Sequence, residues 1–188
     1  MSRILEAASV TLFLVKAVIE MPVTPFHLIV ASPIKAIAPN KFSWAIFCLA
    51  NIFIDLEPII SFIITQEPRH LFLHTIIGAS GVACFSATIG RQWCEKALII
   101  WNEEVKEGRW VVANTSISFK SALMGAFTGG WSHLLLDSFM HDDIEPLSPF
   151  FNSNPLLGLI NITELHLLCV ITGIIGIGLL LMRNKSTN

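Results

Sequence analysis

The sequence predicts an all-α fold: an integral membrane helical bundle with four strong transmembrane spans, one or two shorter apolar helices and an interfacial amphipathic helix. Three observations carry that prediction. Residues of the AVILMFWYC set make up 53% of the 188-residue chain and charged residues only 14%, against about 25% charge in a soluble domain. Apolar stretches near 20 residues recur, the length that crosses about 30 Å of hydrocarbon as a helix. Lys and Arg alternate between the connections, as they do in multi-pass proteins. This composition excludes disorder, a coiled coil and a soluble disulfide scaffold. The net charge of −2 gives no basic footprint for nucleic acid, so membrane lipid is the expected partner.

Residues 1–20 read as an N-terminal extension or a signal-anchor-like segment. Ile4–Ile19 is apolar but short, and Glu6 and Lys16 interrupt it. No small-residue cleavage site follows. Met21-Pro22-Val23-Thr24-Pro25 looks like a protein start, so a single membrane-embedded domain is placed at 21–188. His27–Ala38 contains Pro33 and is too short to span, which predicts a kinked or re-entrant helix closed by Pro39 and Asn40.

Trp44–Ile64 is the first expected span, apolar except for Asn51, Asp55, Glu57 and Ser61. Leu71–Gly90 is the second. In Arg91–Lys120, Trp93, Ala97, Ile100, Trp101 and Val105 recur at helical spacing with charges between them. That pattern predicts an amphipathic interfacial helix ending near Gly108. Ser121–Met140 is the third span, with Gly125, Gly129 and Gly130 allowing close approach of a neighbour. Thr163–Met182 is the fourth, and Arg183 and Lys185 end it. Cys48, Cys84, Cys94 and Cys169 form no C-x-x-C pair and read as small hydrophobes.

Segment 91–120 holds Arg91, Lys96, Lys106, Arg109 and Lys120, whereas 141–162 holds no Lys or Arg and carries Asp142, Asp143 and Glu145. One alternation fits: 35–43, 91–120 and the tail inside, 65–70 and 141–162 outside.

Ionisable groups in a span are costly, about 2.5–3.5 kcal/mol for a central Asp on insertion scales, so their positions are informative. Asp55 and Glu57 are two apart and point in different directions on a helix, unless it opens near Pro58. His70 and His74 are spaced i, i+4, which puts both imidazoles on one helical face, as in metal-gripping helices. His133 and Asp137 share a face in the same way, and His141 follows one turn later. A mixed N and O set suits zinc or another first-row divalent ion. Each group also has a structural reading: a helix end reaching water, or a His–Asp bond gluing helices. The inferred topology brings all three groups, with His27, to one face of the membrane. His166 has no acidic partner at i+4 and reads as interfacial.

These residues resemble a known family. Thr24-Pro25-Phe26-His27, Asp55-Leu56-Glu57, His74-Thr75, and His133-x-x-x-Asp137 followed by Pro146, Pro149 and Phe150 together resemble the LexA-regulated, inner-membrane family of metal-dependent hydrolases of bacteria, over roughly residues 21–182. That family is distantly similar to zinc-dependent phospholipase C and the P1-type nucleases. Departures exist. Glu57 stands where the family often has Asp, His70 is displaced by one position, and Met140-His141 replaces a common Thr. The resemblance implies hydrolysis at the membrane surface, possible substrates being a phosphoester or lipid head group. The implied metal ligands are Asp55, His74, His133 and Asp137, with His27 next. Glu57 would orient water or act as general base. Zinc is the expected metal and manganese the alternative. Two other classes fit the residues: a haem-binding electron carrier using His74 and His133, and a non-enzymatic membrane protein whose His/Asp cluster is structural or binds ions.

Overall fold

The computed structural model describes residues 25–106, 112 and 114–186. Residues 1–20, Gly108 and Arg109 fall outside the described residues. The described chain is all-helical, with no strand.

α1 (Pro25–Ile29) and α2 (Ser32–Ile37) are short. They form the kinked segment that Pro33 predicts. Pro33 lies in the first turn of α2, where its missing N–H breaks no bond. Lys35 Nζ donates to the carbonyls of Pro39 and Phe42 at 2.8 and 3.0 Å and closes the segment. α3 (Trp44–Thr65) starts at Ser43, whose hydroxyl accepts from the Ile46 N–H, and ends at Gln66 in left-handed geometry. Pro58 sits inside α3 without breaking it, so the helix does not open there.

α4 (Ile76–Phe85) begins later than the apolar pattern suggests. Thr75 caps it by accepting from the Gly78 N–H at 3.0 Å, and residues 71–74 are a loop. A five-residue π turn, Ser86–Gly90, then leads into α5 (Arg91–Val105). Phe85, Gly90 and Arg91 all keep right-handed helical backbone, so no turn separates the expected second span from the amphipathic helix. α5 buries no residue, and Trp93 and Trp101 are exposed. α6 (Phe119–Ser138) and α7 (Ile162–Ser186) complete the bundle.

Two helices are long and apolar enough to cross a membrane, Trp44–Thr65 and Ile162–Arg183. The expectation of four strong spans is corrected to that number. The second stretch loses its first turn to the Thr75 cap. The third is a full 20-residue helix, but its Gly, Ser, His and Asp content lowers its hydropathy.

Large apolar side chains lie on both the inside and the outside of the bundle: Phe42, Ile46, Phe47, Ile54 and Ile144 are fully buried. The interior is rich in small residues: Ala50, Ala79, Ala83, Ala87, Ala122 and Ala126 are all fully buried. Ile52, Ile60, Ile63, Trp131, Ile174 and Leu181 are more than half exposed. A soluble core places its large apolar side chains inside, whereas helices packing in lipid meet through small ones. α6 lies on α3 through Gly125 and Gly129: a Cβ on Gly129 would sit 2.7 Å from the Phe47 carbonyl oxygen. Gly130 faces α4 at Ala79. Against α7, the Ser32 hydroxyl donates to the Gly173 carbonyl at 3.3 Å.

The bundle has two distinct ends. At one, the Ser43 N–H donates to the Ser121 carbonyl, Arg91 to the Ile117 carbonyl and Arg183 to the Ala36 carbonyl. Lys35, Lys41 and Lys120 flank these contacts. At the other, loop 66–75 meets the connection 139–161: the His70 N–H donates to Asp143 Oδ2 at 2.8 Å, and the Ile76 N–H to the Pro146 carbonyl at 2.9 Å. The polar residues gather at this second end.

Candidate metal centre

Asp137 is the hub, fully buried near the end of α6. His133 lies one turn before it, and its Nε2 is 3.0 Å from Asp137 Oδ2. From α3, Asp55 brings Oδ1 to 3.1 Å from the same His133 Nε2. From the loop before α4, His74 Nε2 comes to 3.6 Å from Asp137 Oδ2. On α1, His27 Nε2 is 2.9 Å from Asp137 Oδ1, and its ring stacks on His133 with centroids 4.4 Å apart. Of the five residues expected from the sequence, Asp55, His74, His133 and Asp137 form one group, and His27 lies against Asp137; they are drawn from α1, α3, α6 and the loop before α4.

Each imidazole is oriented from behind. Asn51 Nδ2 donates to the Phe47 carbonyl at 2.8 Å, which turns its Oδ1 toward His133 Nδ1, 3.1 Å away. That oxygen only accepts, so Nδ1 carries the proton and Nε2 presents a lone pair to the cluster. Glu57 does the corresponding work for His74, with Oε2 3.5 Å from Nδ1. The same carboxylate accepts from the Leu71 N–H at 2.8 Å and the Leu73 N–H at 3.0 Å, so Glu57 holds the 71–74 loop in place.

The facing atoms lack hydrogen bonds. Among the described residues, His74 Nε2, His133 Nε2, Asp55 Oδ1 and both Asp137 oxygens are buried without a hydrogen-bond partner, although they lie at contact distance. They crowd together, His133 Nε2 facing both Asp55 and Asp137. Buried polar groups are ordinarily satisfied, and one ion would satisfy all of these. One ligand atom from each of Asp55, His74, His133 and Asp137 lies within 4.8 Å of the others, and all four residues are buried. The group could hold a metal ion, and its N₂O₂ donor set fits a first-row divalent cation.

His70 and His74 do not share a helical face, because both precede α4. The loop still brings their rings together, edge to face with centroids 4.6 Å apart. His70 Nδ1 lies 2.9 Å from Asp143 Oδ1. Burial alone would raise the Asp143 carboxyl; hydrogen bonds from the His70 ring and backbone outweigh it and hold the carboxyl down at about 2. The His141 ring lies 4.4 Å from that of His70, and burial pushes its imidazole below the ordinary value. His166 stacks on Phe26 with centroids 4.4 Å apart, behind His27. A cavity of about 620 Å³ is lined by Glu67, Arg69, His70, Leu71, His141 and Asp143 among others.

Sequence reasoning did not assign roles to Asn51 and Asp143. For Asn51 a signal existed: it precedes Asp55 by four residues on one helix, the spacing that drew attention to His133 and Asp137. For Asp143 none did, since its partner is 73 residues away. No family model, curated protein or solved structure matches the chain.

Proposed function

We propose that this chain is a multi-pass protein of a bacterial inner membrane that holds a divalent metal ion, zinc first and manganese second, and uses it for hydrolysis at the membrane surface. The observation that carries the reading is the crowding of two imidazole nitrogens and two carboxylates, buried and without hydrogen bonds, within 4.8 Å of one another. The resemblance of the same residues to the inner-membrane hydrolase family supplies the reaction class.

Asp55, His74, His133 and Asp137 hold the ion, and His27 lies against Asp137 Oδ1 at 2.9 Å. A divalent metal held by such residues lowers the pKa of a water it carries to about 7, which makes a nucleophile at neutral pH. Asn51 and Glu57 are positioning residues: they fix the proton on the Nδ1 atoms and keep both Nε2 lone pairs inward. With both carboxylate oxygens of Glu57 engaged by the loop backbone, its role is orientation of His74 in place of general base. A phosphoester such as a lipid head group suits a site at this depth.

Membrane residence is supported by the two apolar helices and the large apolar side chains turned outward. The side is supported by charge. Lys35, Lys41, Arg91, Lys120 and Arg183 cluster at the end away from the site, so the positive-inside rule puts the site on the extracytoplasmic face. Haem fits less well, because the Asp137 carboxylate lies between the Nε2 atoms of His74 and His133.

Elemental analysis of the detergent-purified protein tests the proposal. The parent should carry divalent metal, and added zinc or manganese should raise its melting temperature. His133→Ala and Asp137→Ala should lose both properties, and His166→Ala should keep them. Metal-loaded parent should release head groups from phospholipid vesicles, and chelator-treated parent should not. A parent without metal, and with a melting temperature indifferent to zinc and manganese, would leave a cluster that only glues helices.

A further inference from the structure

We infer that His70 and His141 hold a second divalent metal ion, with Asp137 shared between two sites. This rests on the reading of Asp55, His74, His133 and Asp137 as a first site. One ligand atom from each of His70, Asp137 and His141 lies within 4.8 Å of the others, and Asp137 is the one residue common to both groups.

Three features set this trio apart from a chance meeting of polar groups. First, His70 is fixed in one orientation. Asp143 accepts from its backbone N–H at 2.8 Å and lies 2.9 Å from Nδ1. The proton is thereby held on Nδ1, and Nε2 keeps its lone pair. Second, that Nε2 is buried in a residue only 4% exposed and has no hydrogen-bond partner among the described residues. The same holds for His141 Nε2, which is also buried and unsatisfied. Third, His141 is anchored where it stands. Its N–H donates to the Asp137 carbonyl at 2.9 Å, and Asn154 Nδ2 donates to its own carbonyl at 3.2 Å. The His70 lone pair, the unsatisfied His141 Nε2 and a carboxylate held together call for a cation between them or water bridging them.

The two sites differ in kind. The first draws on four protein residues, all buried. The second has three, and the 620 Å³ cavity lies against His70 and His141. Three protein ligands with an open position are the arrangement of catalytic sites. The second site is therefore the one nearer the cavity.

Metal stoichiometry tests this. Detergent-purified protein is stripped with chelator, reloaded with zinc, desalted and measured per chain. The parent should hold two equivalents. His141→Ala and His70→Ala should each hold one, with zinc still raising the melting temperature. Asp137→Ala should hold neither. Loading with manganese gives an independent readout: the parent should show a spin-coupled pair by electron paramagnetic resonance, and His141→Ala an isolated ion. A parent with one equivalent, unchanged by His141→Ala, would overturn the second site, leave the first intact and assign the His70–His141 gap to water. Two equivalents retained in His141→Ala would place the extra ion elsewhere and overturn it as well. A parent holding none would remove both sites.

Discussion

At His133 the neighbour that matters most is an amide. Asn51 accepts from Nδ1 and is itself pinned to the Phe47 carbonyl. Replacing it with Ala removes the group that selects the tautomer, while leaving every proposed ligand in place. Outer-shell changes of this kind typically cost about 10–100-fold in metal affinity. Asn51→Ala should therefore bind zinc about 10–100-fold more weakly in competition with a chromophoric chelator. Asn51→Asp should stay near the parent, because a carboxylate also accepts from Nδ1–H. Equal loss in both variants would show that the amide contributes packing and not orientation. The sequence made the side chains of the cluster legible at this scale and their supports illegible. His133 and Asp137 declare themselves by their spacing on α6. The partner of His133 is 82 residues away, a distance over which no periodicity operates.

At the scale of elements, the site depends on how closely α6 and α3 approach. A side chain on Gly129 would press on the Phe47 carbonyl and on Ala50 and Asn51, driving His133 away from Asp55. Gly129→Val should cost about 1–3 kcal/mol, as overpacking does, and should reduce metal binding with it. Gly81 is the control, since a Cβ there meets nothing within 4 Å. Gly81→Ala should leave metal binding unchanged and gain up to about 1 kcal/mol from helix propensity. Thermal melts of both variants, with and without zinc, separate the outcomes. Equal behaviour would mean that α6 and α3 adjust without disturbing the site. The glycines of α6 were readable as contact points in advance. The start of α4 was misread because apolar residues run on through Leu71 and Leu73, and hydropathy does not register that Thr75 caps the helix. His70 and His74 reach the cluster as parts of a loop held by Glu57, an arrangement that i, i+4 spacing cannot describe.

On the scale of the whole molecule, the cations gather at one end and the buried His/Asp cluster lies at the other. A reporter fused after Asn188 should read the cytoplasmic side, and one inserted near Asn152 the opposite side. The same side for both would contradict the topology that α3, α6 and α7 suggest together. The all-helical class was legible in the long apolar runs, two of which are helices long and apolar enough to cross a membrane. The number of clear spans was not, because α6 trades hydropathy for the small and polar residues that build the site.

The ligands' spacing along the chain has a consequence for biosynthesis. His27, Asp55 and His74 leave the ribosome long before His133, Asp137 and His141, yet all of them gather around the last turn of α6. A chain interrupted before that turn has its early imidazoles and carboxylates but no place for them to meet. The centre is thus completed late, once α6 has been inserted beside α3 and the connection to α7 has folded over it. An ion of the kind proposed could bind only after that step.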